Sequence, residues 1–181
     1  VTNGNTVNAG QGTGAAELGS TSTAIQNLAS ALWATDTEVI MPMPSPLLEP
    51  LQLCTKLVSF TVHAEHGSLI TDLNFLRGLP RLETLVLSGP KIRDFDQLAT
   101  LPSLRTLTVT NLALDGGGEV DVTPLVAITT LQSIDFTNSP AVANVAPLAK
   151  IQALKRLNVT GTRVTDRRAL TACEGLTVVP E

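Results

Sequence analysis

The stretch Leu98-Ala99-Thr100-Leu101-Pro102-Ser103-Leu104-Arg105-Thr106-Leu107-Thr108-Val109 decides how this chain folds. Its recurring apolar residues fall at 98, 101, 104, 107 and 109, in steps of three, three, three and two. Steps of three suit a helical turn and a bend, and the closing step of two is the period of a strand. The same ladder precedes it twice, as Leu51, Cys54, Leu57, Phe60, Val62 and as Leu76, Leu79, Leu82, Leu85, Leu87. It follows as Leu125, Ile128, Leu131, Ile134, Phe136 and as Leu148, Ile151, Leu154, Leu157, Val159, and a sixth copy runs Leu170, Cys173, Leu176, Val179. Every slot is apolar or Cys. The ladders start at 51, 76, 98, 125, 148 and 170, so the periods are 25, 22, 27, 23 and 22 residues. Such a period means a stacked array in which no unit buries its own apolar face. Each unit reads as a convex turn followed by a short strand.

Composition agrees with a thin, layered core. The chain has 181 residues, 43% of them apolar and 15% charged, which is enough to bury a core without staples. Tyr is absent and aromatics make up 3%, so the layers are built from Leu, Val, Ile and Ala. The uncharged apolar runs, such as 39–43 and 124–128, fall far short of the roughly 18 residues that a membrane-spanning helix needs. The net charge is −4, from 12 basic and 16 acidic side chains scattered along the sequence, with no basic stripe to track phosphates. Neither nucleic acid nor membrane insertion is therefore expected. The chain begins at Val1 with no charged segment leading into an apolar one, so no secretory signal is read in it.

The ladder over 51–181 resembles the leucine-rich repeats of internalin-like and SDS22-like proteins. Asp121-Val122-Thr123-Pro124-Leu125 and Asn144-Val145-Ala146-Pro147-Leu148 look like the Asp-x-x-Pro-Leu step of those families. The resemblance implies an α/β fold, a right-handed solenoid or horseshoe with a parallel sheet on the concave face and short helices or 3-10 turns on the convex face. Four residues before the first ladder Leu of each following repeat stands Asp72, Asp94, Asp121, Asn144 or Asp166. A short polar side chain there accepts hydrogen bonds from the orphan amides that open the convex turn, so this column is read as structural caps. One column departs from the family. Three residues past the strand, where many such repeats carry a layer-bridging Asn, this chain has Pro90, Leu112, Ser139 and Thr162. Ser and Thr can substitute in part through their hydroxyls, and Pro and Leu cannot.

The ends differ from the repeats. Residues 1–20 have the Gly/Asn/Thr-rich composition of a tail. Residues 21–50 read as an N-terminal cap, with a helix opening at Ser22 or Thr23 and carrying Ile25, Leu28, Leu32 and Trp33. Val39-Ile40-Met41 stands 21 residues before Phe60-Thr61-Val62, as the strand of a degenerate repeat would, with Pro42 to Pro50 as its return. The sixth ladder stops at Val179-Pro180-Glu181 with no cap after it, which predicts either an excerpt of a longer protein or edge-to-edge self-association through this repeat.

Sites of chemistry are sparse. Cys54 and Cys173 occupy the same slot five layers apart, roughly 24 Å at about 4.8 Å per strand, so they form no intramolecular disulfide. They read as buried free thiols, which favours a reducing, cytoplasmic setting. His63 and His66 flank Glu65 in one loop, but the spacing is not that of a helical zinc motif and no third His exists. Asn158-Val159-Thr160 matches the glycosylation pattern, yet it falls on a strand. No phosphate loop, nucleophile elbow or CxxC pair is present, so no cofactor, metal or enzymatic activity is expected.

The surface carries what remains. Side chains alternate along a strand, so the residues between ladder slots line the concave sheet in three columns. They are Ser59, Thr84, Thr106, Ser133, Arg156; then Thr61, Val86, Thr108, Asp135, Asn158; then His63, Ser88, Thr110, Thr137, Thr160. Strand propensity explains the Thr and Val content; a low-relief groove for a partner, with Asp135, Arg156 and Asn158 as its polar corner, explains it equally. Thr108 and Thr137 flank that corner. Two insertions, 63–68 with His63 and His66 and 112–120 with Glu119, emerge on one rim, and the second holds the flexible run Gly116-Gly117-Gly118. Drift in loop length or recognition by these loops both account for them. The expected function is a non-catalytic protein-protein interaction scaffold whose partner is another protein. The alternatives are a structural spacer or dimerisation element and, as the SDS22-like resemblance implies, a regulatory or targeting subunit of an enzyme.

Overall fold

The computed structural model describes residues 7–8, 38–40, 48, 51–52, 55–62, 67–171, 173 and 175–179. Eight strands form one parallel sheet in chain order: β1 Val7–Asn8, β2 Glu38–Ile40, β3 Ser59–Val62, β4 Thr84–Ser88, β5 Thr106–Thr110, β6 Ser133–Asp135, β7 Arg156–Asn158 and β8 Thr177–Val179. From β3 to β8, successive strands are joined through a turn on the opposite side of the sheet. These turns contain 3-10 segments at Asn74–Leu76, Asp96–Thr100, Thr123–Ala127 and Ala146–Lys150, and a single α-turn at Arg168–Thr171. The core lies between sheet and turns, where ladder residues from 76 to 159 are all buried. Phe60 and Phe75 meet edge to face at 5.6 Å, and Phe95 and Phe136 lie 6.0 Å apart, so the four phenylalanines pack in pairs inside.

Register follows the ladder. Leu85 pairs with Leu107, Leu107 with Ile134 and Ile134 with Leu157, so each apolar slot stacks on its equivalent. Further up, β2 pairs with β3 so that Val39 stands opposite Phe60, and β1, within the stretch 1–20, pairs with β2. The helix proposed from Ser22 or Thr23, including Trp33, lies outside the described residues.

The sixth repeat slips by one residue. Val178, not Val179, pairs with Leu157 and packs on the core, while Val179 pairs with Asn158 on the concave side. The cause is at the start of the strand. In the earlier repeats two successive amides share one carbonyl of the layer before: Glu83 and Thr84 on Val58, Arg105 and Thr106 on Glu83, Gln132 and Ser133 on Arg105, Lys155 and Arg156 on Gln132. In the sixth, Leu176-Thr177-Val178 has one residue fewer and Thr177 alone donates to Lys155. Cys173 is half-buried rather than buried, because no further described layer stacks on its outer side; its thiol donates to the Ala149 carbonyl at 3.6 Å.

The Asp/Asn column has one task in all five layers. Asp72, Asp94, Asp121, Asn144 and Asp166 each accept the amide two residues on, at 2.9, 3.3, 2.8, 3.0 and 2.9 Å. That amide belongs to the first residue of the convex turn; in the four 3-10 turns the residue between them, at the N-cap itself, is a buried Leu, Phe or Val, and in the fifth layer it is the half-buried Arg167. The polar residue therefore caps from one position upstream, leaving the N-cap side chain free to enter the core. Hydrogen bonds from the Thr123 hydroxyl and amide hold the Asp121 carboxyl below its usual range.

At the exit from the strands the chain turns through a left-handed residue in each of four layers: Gly89, Asn111, Asn138 and Gly161, with φ of 75°, 57°, 55° and 71°. Gly and Asn are the residues that tolerate this region. One position later stands the column that departs from the family pattern. Pro90 and Leu112 are buried apolar residues there. Ser139 is buried too, and its hydroxyl donates to the Val109 carbonyl at 2.9 Å and accepts the Leu112 amide at 3.1 Å, both in the preceding layer. Thr162 stays within its own layer, donating to Val159 at 2.7 Å.

Candidate interaction surface

The pairing register lines up the concave columns. Ser59, Thr84, Thr106, Ser133, Arg156 and Thr177 stand opposite one another in turn, as do Thr61, Val86, Thr108, Asp135, Asn158 and Val179. Most are half-buried; Thr61 is buried, and Arg156 and Thr177 are exposed. Thr108 sits at the middle of the sheet beside Val86 and Asp135. In the third column the Ser88 and Thr110 hydroxyls bond each other at 2.9 Å.

The polar corner is a closed network. Asp135 accepts the Thr137 amide at 2.8 Å and its hydroxyl at 2.6 Å. The Asn158 amide group donates to Asp135 at 3.2 Å and to the Thr137 hydroxyl at 2.8 Å, while its oxygen accepts the Thr160 amide and hydroxyl at 3.0 and 2.7 Å. Asp135-Phe136-Thr137 and Asn158-Val159-Thr160 are thus the same Asx motif in successive layers, joined side by side. The repetition of Asx-x-Thr after the strand is the signal in the sequence that foretells it. The network fixes the local backbone where the paired strands end. It leaves Arg156 as the member of the corner with an exposed charge and, among the described residues, no ion-pair partner.

On the trailing rim, past the strands, the insertion 112–120 is gripped from both sides. Leu112 and Val120 are buried and Leu114 packs on the core. Lys91, one layer before, donates to both oxygens of Asp115 at 3.1 and 2.8 Å and holds that carboxyl below its usual range, with Arg93 adding to the effect. Arg163, two layers on, donates to the carbonyls of Gly118 and Pro140. Gly116, Gly117 and Gly118 all have positive φ, so the glycines set the shape of an anchored loop rather than a free tether. Glu119 is exposed and borders a shallow depression with Val120, Asp121 and Asn144. The other rim insertion cannot be placed in the same way, since His63 and His66 lie outside the described residues, as does Cys54.

The leading rim, ahead of the strands, shows what the linear sequence hides. Lys56 and Arg81 stand three residues before β3 and β4, Arg105 and Lys155 one residue before β5 and β7, and Arg156 opens β7. All are exposed. The carboxylate among them is Glu83, 3.7 Å from Arg105. Charges scattered through the sequence recur at about the repeat period and so collect on one edge of the stack.

No protein-family model matches the chain. Among solved structures it is similar to an internalin of Listeria monocytogenes, with a TM-score of 0.65 and 24% identity over 86% of this chain and 43% of that one. Internalin C2 of the same organism matches with a TM-score of 0.61 and 21% identity, over 80% and 60% of the two chains. A leucine-rich-repeat protein of Leptospira interrogans matches with a TM-score of 0.60 and 15% identity, over 84% and 38%. The chain thus spans between 38% and 60% of the length of these structures. Stacked ladder, in-register parallel sheet, capped convex turns and these likenesses agree: the chain folds as a leucine-rich-repeat solenoid.

Proposed function

We propose that the chain is a non-catalytic protein-binding module whose contact surface is the concave sheet from β4 to β7 together with the anchored loop 112–120. The observation that carries this reading is that the sheet presents two registered columns of small, mostly half-buried side chains, held in place by the Asp135–Thr137–Asn158–Thr160 network. A surface already fixed before contact loses little conformational freedom on binding. Arg156 supplies a planar, many-donor side chain at the edge of that surface, the type enriched where binding energy concentrates.

The test separates surface from scaffold. Asp135→Ala is a poor choice, because it removes three hydrogen bonds of the network and disturbs the backbone as well as the surface. Thr108→Gln and Arg156→Ala alter exposed or half-exposed side chains to which no hydrogen bond is assigned. Peptides selected from a random display library against the wild-type chain should bind these variants at least about tenfold more weakly, with unchanged circular dichroism. Selected binders that recognise wild type and both variants equally would sink the concave reading, and the spacer alternative would then be preferred.

A further inference from the structure

The leading rim gives the partner a chemistry. We propose that the rim formed by Lys56, Arg81, Arg105, Lys155 and Arg156 docks an acidic polypeptide segment of the protein partner; this rests on the protein-binding reading above. Three observations converge on it. The first is accumulation: among the described residues of the rim, five exposed cations face one carboxylate, Glu83, in a chain whose net charge is −4. The second is availability. Lys56, Arg81, Lys155 and Arg156 have no ion-pair partner among the described residues, whereas Lys91 is engaged by Asp115 and Arg163 by backbone carbonyls on the opposite rim. The third is continuity, since Arg156 belongs both to this rim and to the first concave column. A segment lying in the sheet therefore leaves it past Arg156 and meets the other cations.

Geometry sets the size of the segment. From Lys56 to Lys155 the rim crosses four layer spacings, roughly 19 Å at about 4.8 Å each, which an extended peptide covers with about six residues. The fourth layer is neutral, with Thr130 and Gln132, so the charge falls into two groups, one over the first three layers and one at Lys155 and Arg156. A carboxylate-rich segment with a neutral break matches this pattern. Arg pairs carboxylates through two parallel hydrogen bonds, which favours Asp and Glu side chains as the occupants. Nucleic acid fits less well: Phe60, Phe75, Phe95 and Phe136 are all buried, so no described aromatic stands ready to stack a base. A membrane surface fits less well too, because among the described residues the exposed large apolar side chain is Leu69, which follows the strands rather than preceding them.

The experiment uses the full chain and a fluorescein-labelled six-residue Glu-rich peptide, read by anisotropy at low and high ionic strength, with a Gly/Ser peptide of equal length as reference. Saturable binding of the Glu-rich peptide is expected at low salt and its loss at high salt. The triple reversal Arg81→Glu/Lys155→Glu/Arg156→Glu should weaken it by about tenfold or more, since three attractive charges are lost and three repelling carboxylates take their place. Arg93→Glu/Lys150→Glu/Arg168→Glu changes the net charge equally away from the rim and should weaken it far less. Equal weakening by the two triples, or tighter binding of an RNA homopolymer or of anionic phosphatidylserine vesicles than of the Glu-rich peptide, overturns the proposal. The two readings fail separately. Display-selected binders lost on Thr108→Gln, but poor in Asp and Glu and insensitive to the rim reversal, would refute the rim and leave the concave sheet as the binding surface.

Discussion

Ser139→Ala should destabilise the chain far more than the loss of one surface hydroxyl would suggest. The side chain is fully buried, and its oxygen both donates to the Val109 carbonyl and accepts the Leu112 amide, at 2.9 and 3.1 Å. Truncation removes two hydrogen bonds worth about 1 kcal/mol each. It also leaves the Leu112 amide without its partner inside a layer boundary, a further cost of about 1–3 kcal/mol if no water enters. The sum is roughly 3–5 kcal/mol, or a fall in Tm of about 6–20 °C for a chain of this size. Thr162→Ala is the internal comparison, because that hydroxyl is half-buried and serves only its own layer; it should cost about 1 kcal/mol or less. Thermal and urea unfolding followed by circular dichroism measure both, and hydrogen exchange at the Leu112 amide reports the site itself. A loss for Ser139→Ala within about 0.5 kcal/mol of that for Thr162→Ala, with unchanged protection at Leu112, would refute the reasoning.

Three further outcomes follow from the same geometry. Asp135→Ala and Asn158→Ala should each cost about 1–2 kcal/mol, and the double variant less than their sum by about 0.5–1.5 kcal/mol; a double-mutant cycle showing additivity would mean that the network is not coupled. Gly161→Ala places a Cβ at 2.5 Å from the Asn138 side-chain oxygen and 3.1 Å from its Cα, at a φ of 71°, and should cost more than about 1 kcal/mol, whereas Asn138→Gly should be close to neutral; urea unfolding of the two variants decides. Asp115 has its folded pKa lowered below 3.8, so whatever it adds to loop stability is present above the unfolded value and lost as pH falls through the folded one. An NMR titration should show a value below 3.8 that rises toward it in Lys91→Met, and no change in that variant would contradict the pairing.

How much the sequence disclosed depended on whether the interaction was periodic. The ladder at 98–109 and its copies could be read because burial of a shared core demands an apolar residue at every equivalent slot, and the concave columns followed from alternation alone. The cap column was legible for the same reason, though its residues act one position upstream of the N-cap. The sixth repeat was misread by one residue because the ladder spacing presumes the two amides that share a carbonyl, and Leu176-Thr177-Val178 lacks one of them. The left-handed turn residues were overlooked since Gly and Asn answer the same demand with different letters. The corner of Asp135, Arg156 and Asn158 was picked out as a candidate surface, but its hydrogen bonds run largely inward, which one residue at a time could not show. The contact from Arg163 to Gly118 spans 45 positions and has no counterpart among the described residues of the other repeats, so nothing periodic announced it.

That last contact changes how the array comes apart. In a linear stack each layer touches only its neighbours, and melting proceeds from an end, one layer at a time. Arg163 reaches past the layer of Pro140 to the loop of the layer before it, so three consecutive layers share one fastening. Fraying that reaches the fifth repeat removes the Arg163 contacts and leaves the loop 112–120 held by Lys91 and by its own buried Leu112 and Val120. The Arg163 link thus ties those three layers together beyond nearest-neighbour stacking, and the loop proposed to face a partner loses one of its two grips when the fifth repeat opens.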